Sequence, residues 1–406
     1  MMLDPEGRLI WFLPSPVQEN KLITDFRVQE LHGSPVLTWW QGNTNQGHGR
    51  GVGVIYSQSY QQVATVKAGN GLDMDLHEFL LTNQGDAYVT AASRVRVPGI
   101  RRPVVDAVVQ EVDVQTGLVL FEWHALDHIP LGQSYFTANQ TGINYDPYHL
   151  NSVSLDPDDS LLVSMRNTSG VYEVDHQTGK VDWTLGGKAS SFKMGRGTTT
   201  WGQHMTVLHS GDQLTTFDNG GAPPRVHPAS RGLRLALDTH GRTAKLIKEY
   251  DHAPQLPSAF EGSLQPLSQG DVFIGWGQQP YFSEDDASGK QIFDAHFAEP
   301  TGSYRAYRFP WRGQPPVSEL HTAIRAAAGS VNLYASWNGA TDVSSWRALG
   351  GSSPNALTPI GSATKRGFET GLRVRGGLSY YALQALGRSG NVLGTSPILP
   401  APVQGS

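Results

Sequence analysis

Cysteine is absent from the 406 residues. That excludes disulfides, thiolate catalysis, cysteine-ligated zinc and iron–sulfur clusters. Histidine is then the most suitable nucleophile for a covalent intermediate. Charge is also scarce: 17% of residues are Asp, Glu, Lys or Arg, against about 25% in an average chain. A helical bundle, a coiled coil and an acidic disordered chain are all disfavoured. Net charge is −5 with no dominant basic patch, so no nucleic-acid partner is expected. No apolar run reaches the roughly 18 residues of a membrane span. A secretory signal is missing as well. Met1-Met2-Leu3 runs straight into the turn residues Asp4-Pro5-Glu6-Gly7, and Arg8–Phe12 then reads as a strand. We expect further sequence to precede Met1, and with it an extracytoplasmic or secreted protein. As written, without a signal, the chain suits the cytoplasm equally.

What the chain does hold is glycine, proline and tryptophan, at 46, 25 and 10 residues. Glycine and proline together make about 17% of the chain, against about 12% on average. A turn-rich, aromatic, charge-poor composition reads as all-β.

Two phrases recur. Asp113-Val-Gln-Thr-Gly117 leads to Trp123, and Asp175-His-Gln-Thr-Gly179 leads to Trp183. Weaker copies begin at Asp4 and Asp238. Asp113, Asp175 and Asp238 lie 62 and 63 residues apart. The second phrase is strand, Gly/Asp turn, strand, and it opens at His77, His149, His204 and Ser263. Two hairpins per unit give about four strands, the size of a propeller blade. The expected architecture is a six-bladed β-propeller over residues 1–316, its opening hairpin closing against the last strands and its final stretch ending near Trp311. After Gln314-Pro315-Pro316, residues 317–406 alternate as short strands. A tryptophan on an early strand, Trp337, and a Tyr-rich late strand, Tyr380–Leu386, suit a small Ig/fibronectin-III-like β-sandwich. Extra propeller strands are the alternative for this tail.

His77, His149 and His204 hold the same place in successive units. The first strand of a blade lines the central channel, so these positions converge on one mouth. Asn151, two residues after His149, shares its face by period-2 alternation. Arg166 ends the next strand and leans over the same mouth. Imidazoles, a guanidinium and an amide suit a tetrahedral oxyanion. Repeats also keep polar residues to bind the next blade, which is the structural alternative for each of these positions. Three histidines suit zinc too, but Asp75 and Glu78 are the only carboxylates close by in sequence and the arginine repels a cation, so no metal is expected. Gly47-His-Gly-Arg-Gly-Val-Gly53 reads as a loop or bulge, because no helix follows to make a phosphate loop.

The sequence resembles the arylsulfotransferase family, in its large actinobacterial and fungal branch. The matching phrases are Asp25-Phe-Arg-Val-Gln29, Leu37-Thr-Trp-Trp-Gln-Gly42, Asp75-Leu-His-Glu-Phe79, His149-Leu-Asn-Ser152, Gln203-His204, Phe217-Asp-Asn-Gly220 and Gly275-Trp-Gly-Gln-Gln-Pro-Tyr281. The resemblance implies transfer of a sulfuryl group from a phenolic sulfate to a phenol, through a sulfohistidine and without nucleotide or other cofactor. It implies His204 as nucleophile, His149 and Asn151 as sulfate contacts, Arg166 as the following arginine and His77 as a further active-site histidine. Met205 departs from the acid expected after the nucleophile. A non-catalytic envelope propeller that binds glycan or protein, and a metal-dependent hydrolase, are the competing readings.

Overall fold

In a computed structural model, the structure describes residues 1–14, 21–139, 143–221, 226–298 and 301–402. Nearly all regular structure is β, as the turn-rich composition requires. The chain divides into two compact units, one comprising Pro16–Ile55 and Gln62–Phe309, the other Met1–Ser15, Tyr56–Gln61 and Pro310–Ser406.

The chain opens with a short hairpin, β1 (Met2–Leu3) and β2 (Leu9–Trp11). The larger unit then holds antiparallel four-stranded meanders. The first is β3 (Leu22–Leu31), β4 (Ser34–Asn45), β5 (His48–Tyr56) and β6 (Gln62–Val66). The second is β7 (Met74–Leu81), β8 (Asp86–Val95), β9 (Val104–Asp113) and β10 (Val119–His124). The third is β11 (Leu150–Leu155), β12 (Leu161–Met165), β13 (Gly170–Val174) and β14 (Val181–Gly186). After β15 (Lys193–Met194) comes the fourth, β16 (His204–His209), β17 (Gln213–Asp218), β18 (Arg231–Asp238) and β19 (Thr243–Tyr250), with β15 parallel to β19. The fifth is β20 (Ser263–Pro266), β21 (Val272–Gly275), β22 (Tyr281–Asp285) and β23 (Gln291–His296). β5 pairs with β7, joining the first two meanders in one sheet. The Asp-x-Gln-Thr-Gly phrases form the turns β9–β10 and β13–β14. In each, the aspartate carboxylate accepts from the threonine N–H, Asp113 and Asp175 both at 2.6 Å.

First strands of successive meanders stand side by side, tied by side chains rather than by a ladder. Gln29 Nε2 donates to the Phe79 carbonyl (2.8 Å) and its Oε1 accepts from Leu81 N–H (2.9 Å), linking β3 to β7. Ser154 Oγ donates to Thr206 O (3.1 Å), and Thr206 N–H donates to Ser152 Oγ (3.1 Å), linking β11 to β16. A cavity of about 250 Å³ lies among them, lined by Arg27, Glu78, Ser152, Thr206 and Arg305.

Arg305 locks these strands from within. Its buried guanidinium donates to Asp25 Oδ1 (3.1 Å), to both Glu78 oxygens (3.1 and 3.0 Å), and to the carbonyls of His77 (3.0 Å) and Asn151 (2.9 Å). Tyr304 Oη donates to the His77 carbonyl as well, at 3.0 Å.

Two expectations are corrected. The stretch expected to form a last blade ending near Trp311 forms no meander among the described residues. Residues 303–309 have no regular secondary structure and bend at Tyr304, and backbone groups of Ala306 and Arg308 are taken by side chains of β20, Ser263 and Gln265 respectively. That leaves five described meanders where six were expected. The opening hairpin belongs to the other unit, where Gly339 N–H donates to Ile10 O and Asn338 brackets the Phe12 backbone.

In that unit one sheet orders β24 (Leu320–Ala327), β25 (Ser330–Trp337) and β28 (Glu369–Arg375). The other orders β27 (Thr358–Thr364), β26 (Ser345–Gly351), β29 (Tyr380–Leu386) and β30 (Val392–Thr395), with β31 (Leu399–Pro400) also on β29. Strict alternation in β25, with Val331, Leu333, Ala335 and Trp337 buried, points one face at a core shared with Trp346, Leu383 and Leu372.

Candidate functional site

His149 and His204 stand at the start of first strands, whereas His77, expected to open its strand, lies inside β7, which begins at Met74. His204 opens β16 and is buried. Its Nδ1 faces two acceptors, Asn219 Oδ1 at 2.7 Å and Gly202 O at 3.1 Å. The Asn219 amide cannot be turned round, because its Nδ2 donates to the carbonyls of Ser258 (3.1 Å) and Glu261 (2.9 Å). The proton therefore sits on Nδ1, and Nε2 carries a lone pair. That lone pair accepts one long bond from Glu261 N–H, at 3.2 Å. Burial, then the positive charge of Arg166, holds the His204 pKa well below the usual histidine value. The ring is neutral and its Nε2 is unprotonated.

His77 and His149 stand with ring centroids 4.9 Å apart. His77 Nδ1 is bonded to Asp75, two residues earlier on β7. His149 precedes β11 with φ of 51°, and its Nδ1 meets Asp146 Oδ2 at 2.6 Å. Burial pushes His149 down to about 4, although Asp146 pulls the other way. Asp75 and Asp146 are held well below the carboxylate range. Burial opposes this, but the neighbouring imidazoles outweigh it.

A third ring, which sequence reasoning passed over, lies between these carboxylates. His48 Nε2 is 2.9 Å from Asp146 Oδ2, and its Nδ1 is 3.7 Å from Asp75 Oδ1. Its ring centroid lies 5.2 Å from that of His149 and 6.0 Å from that of His77. The Gly-rich stretch that carries it, expected as a loop or bulge, continues as strand β5. Gly47 allows this approach: at φ of 81° it has no Cβ, and one built there would lie 3.1 Å from His149 Cε1.

Arg166 follows β12, and its backbone N–H donates to the His149 carbonyl at 3.0 Å. Its guanidinium donates to Asn167 Oδ1 (3.1 Å) and Ala259 O (3.2 Å), while its buried Nε has no partner among the described residues. Burial lowers its pKa to about 10, so it is cationic at neutral pH. Asn151 turns out to link neighbouring strands: its Nδ2 donates to Gln203 O at 2.6 Å, while its buried Oδ1 is unpartnered among the described residues.

The sets His48–Asp146–His149 and His48–Asp75–His77 have the donor types of a divalent cation site, and the shortage of carboxylates expected from the sequence is corrected by Asp146. The separations of 2.6 and 2.9 Å at Asp146 are those of N–H···O bonds. Ligands about 2.0–2.1 Å from a tetrahedral zinc stand farther apart.

These features define an all-β protein of successive antiparallel meanders that carries a cluster of buried histidines and an arginine. The arylsulfotransferase (ASST) family pattern matches residues 27–298, about two thirds of the chain, and the chain belongs to that family. No curated protein matches at a significant level. Among solved structures, the chain is similar to a Bacteroides caccae protein of unknown function (13% identity, 67% of this chain, 82% of that one, TM-score 0.40). It is also similar to virginiamycin B lyase from Staphylococcus aureus (11% identity, 82% and 88%, TM-score 0.34). No helix among the described residues is long and apolar enough to cross a membrane.

Proposed function

We propose that the protein is an aryl sulfotransferase that needs no nucleotide donor, and that its five meanders are blades of a propeller closed by residues 303–309. The observation that carries the reading is the fixed Nδ1–H tautomer of buried His204, which leaves Nε2 as an unprotonated nucleophile near the Arg166 charge. His204 Nε2 gives up its bond to Glu261 N–H and attacks the sulfur of a phenolic sulfate. The N–S bond forms as the S–O(aryl) bond breaks, and Arg166 holds the non-bridging oxygens. His77, entering the step as an imidazolium with its Nδ1–H on Asp75, gives its Nε2 proton to the departing phenolate. The acceptor phenol loses its proton to neutral His149 and attacks the sulfohistidine, breaking the N–S bond and restoring His204. The proton passes back between the two adjacent rings.

The smaller unit supports a fibronectin-III-like reading. Its strands form sheets of three and five, and the Tyr381 hydroxyl accepts from Leu378 N–H at 3.3 Å, resembling a tyrosine corner. Extracytoplasmic placement remains part of the proposal.

The test is a chromogenic aryl sulfate with and without added phenol. Phenol-dependent release is expected, and is lost in His204→Ala with the circular dichroism spectrum retained. A folded wild-type protein that turns over no member of a broad donor and acceptor panel overturns the proposal.

A further inference from the structure

Three histidines and two aspartates form one continuous arc: His77, Asp75, His48, Asp146, His149. The outer rings each spend Nδ1 on a carboxylate, and their Nε2 atoms have no hydrogen-bond partner among the described residues. The central ring is different: its Nε2 is bonded to Asp146 Oδ2 at 2.9 Å, while its buried Nδ1, with no hydrogen-bond partner among the described residues, faces Asp75 Oδ1 at an ion-pair distance of 3.7 Å. Two ionised carboxylates this close repel each other unless a cation stands between them. Arg166 also acts on Asp146, from after β12, but its guanidinium is bonded elsewhere.

We propose that His48 is a positioning residue: a doubly protonated imidazole bridging Asp75 and Asp146, which keeps both carboxylates on the Nδ1–H groups of His77 and His149 and so leaves their Nε2 atoms for the substrate. The roles given to those two rings rest on the sulfotransferase reading. The bridge itself rests on geometry.

The groups facing His48 are Asp75 and His77 on β7 and Asp146 and His149 before β11. Burial would lower its pKa, but the two carboxylates outweigh burial and raise it to about 10. The turn that carries it is anchored independently: Asn144 Nδ2 donates to Gln46 Oε1 at 3.1 Å, and Gly49 N–H donates to Asp75. His48 also disfavours protonation of its neighbours, being one of the charges that lower His149. Removing it should leave His149 more basic.

The experiment is ¹⁵N NMR of the imidazole side chains of the full chain between pH 6 and 9, on wild type, His48→Gln and His48→Lys, with pH–rate profiles for aryl sulfate turnover. In wild type, the His48 imidazole should stay doubly protonated at about pH 8, identified as the signal of that kind that is missing from His48→Gln. The acid limb of the His48→Gln profile should move up by about one pH unit, and His48→Lys, which keeps a cation, should move it less. A His48 that titrates near its ordinary value overturns the bridge. So does a His48→Gln protein that loses activity with its acid limb unmoved, or stoichiometric zinc on these side chains in the purified protein. A wild type without turnover defeats the sulfotransferase reading alone, because the NMR signature still decides the state of His48.

Discussion

At His204 one amide sets the chemistry. Asn219 presents its oxygen to Nδ1 because both its N–H groups are committed to carbonyls. Asn219→Asp places a negative charge there instead. The imidazole becomes more basic, so less of it is neutral at a given pH. The acid limb of kcat/KM should then shift upward by about 1–3 units, as a pH–rate series on aryl sulfate would read. His77, His149 and His204 were legible because each opens a repeat, and repeats put equivalent positions in equivalent places. Asn219 was within reach too, inside the Phe217-Asp-Asn-Gly220 phrase. His48 was not: flanked by glycines, it carries the signature of a turn, and its partner Asp146 lies 98 residues away. Asn151 was legible as polar and in register, yet its amide serves the neighbouring strand, the role that repeats often give such residues.

Among the elements, β5 positions the site most narrowly. It crosses over Trp40, against which both Gly49 and Gly51 press: a Cβ on Gly49 would stand 2.5 Å from the Trp40 ring and 2.8 Å from the Leu76 backbone nitrogen. Trp40 is fully buried and donates to the Met74 carbonyl at 3.2 Å, so neither neighbour yields easily. Gly49→Ala should destabilise the protein by about 1–3 kcal/mol, measured by urea denaturation, and should carry His48 out of place. Hairpins and their turns were read well from sequence, since Asp-x-x-Gly turns and alternation are local. The segment 303–309 was misread as part of a blade. It has strand-like composition, but Ser263 and Gln265 side chains take the backbone bonds that another strand would need.

For the larger unit as a whole, Arg305 is the residue to remove. Arg305→Leu would leave Glu78 and Asp25 buried with Arg27 as their remaining cation. Breaking a buried ion pair on one side costs about 3–5 kcal/mol, which a denaturant midpoint would register. Stability should also peak with pH. The lowered pKa values of His149 and His204 mean that their contribution is full above the unfolded value of about 6.5 and is lost as pH falls, for His149 through about 4. The raised value of His48 works in the opposite sense: its contribution is full below about 6.5 and is lost as pH rises towards about 10. Thermal melts should therefore show a maximum near pH 6–7, and His48→Gln should weaken the fall on the alkaline side.

By itself the sequence determined the all-β class, the recurring hairpins, and the histidines that recur at matching places in them. These follow from turn residues, alternation and side-chain chemistry, which act over a few positions. Only the tertiary structure decided which groups meet. It brought Arg305 to Asp25 across 280 residues and Asp146 to His48 across 98. A buried charge must find its partners wherever the packed strands deliver them, and no local pattern records that address.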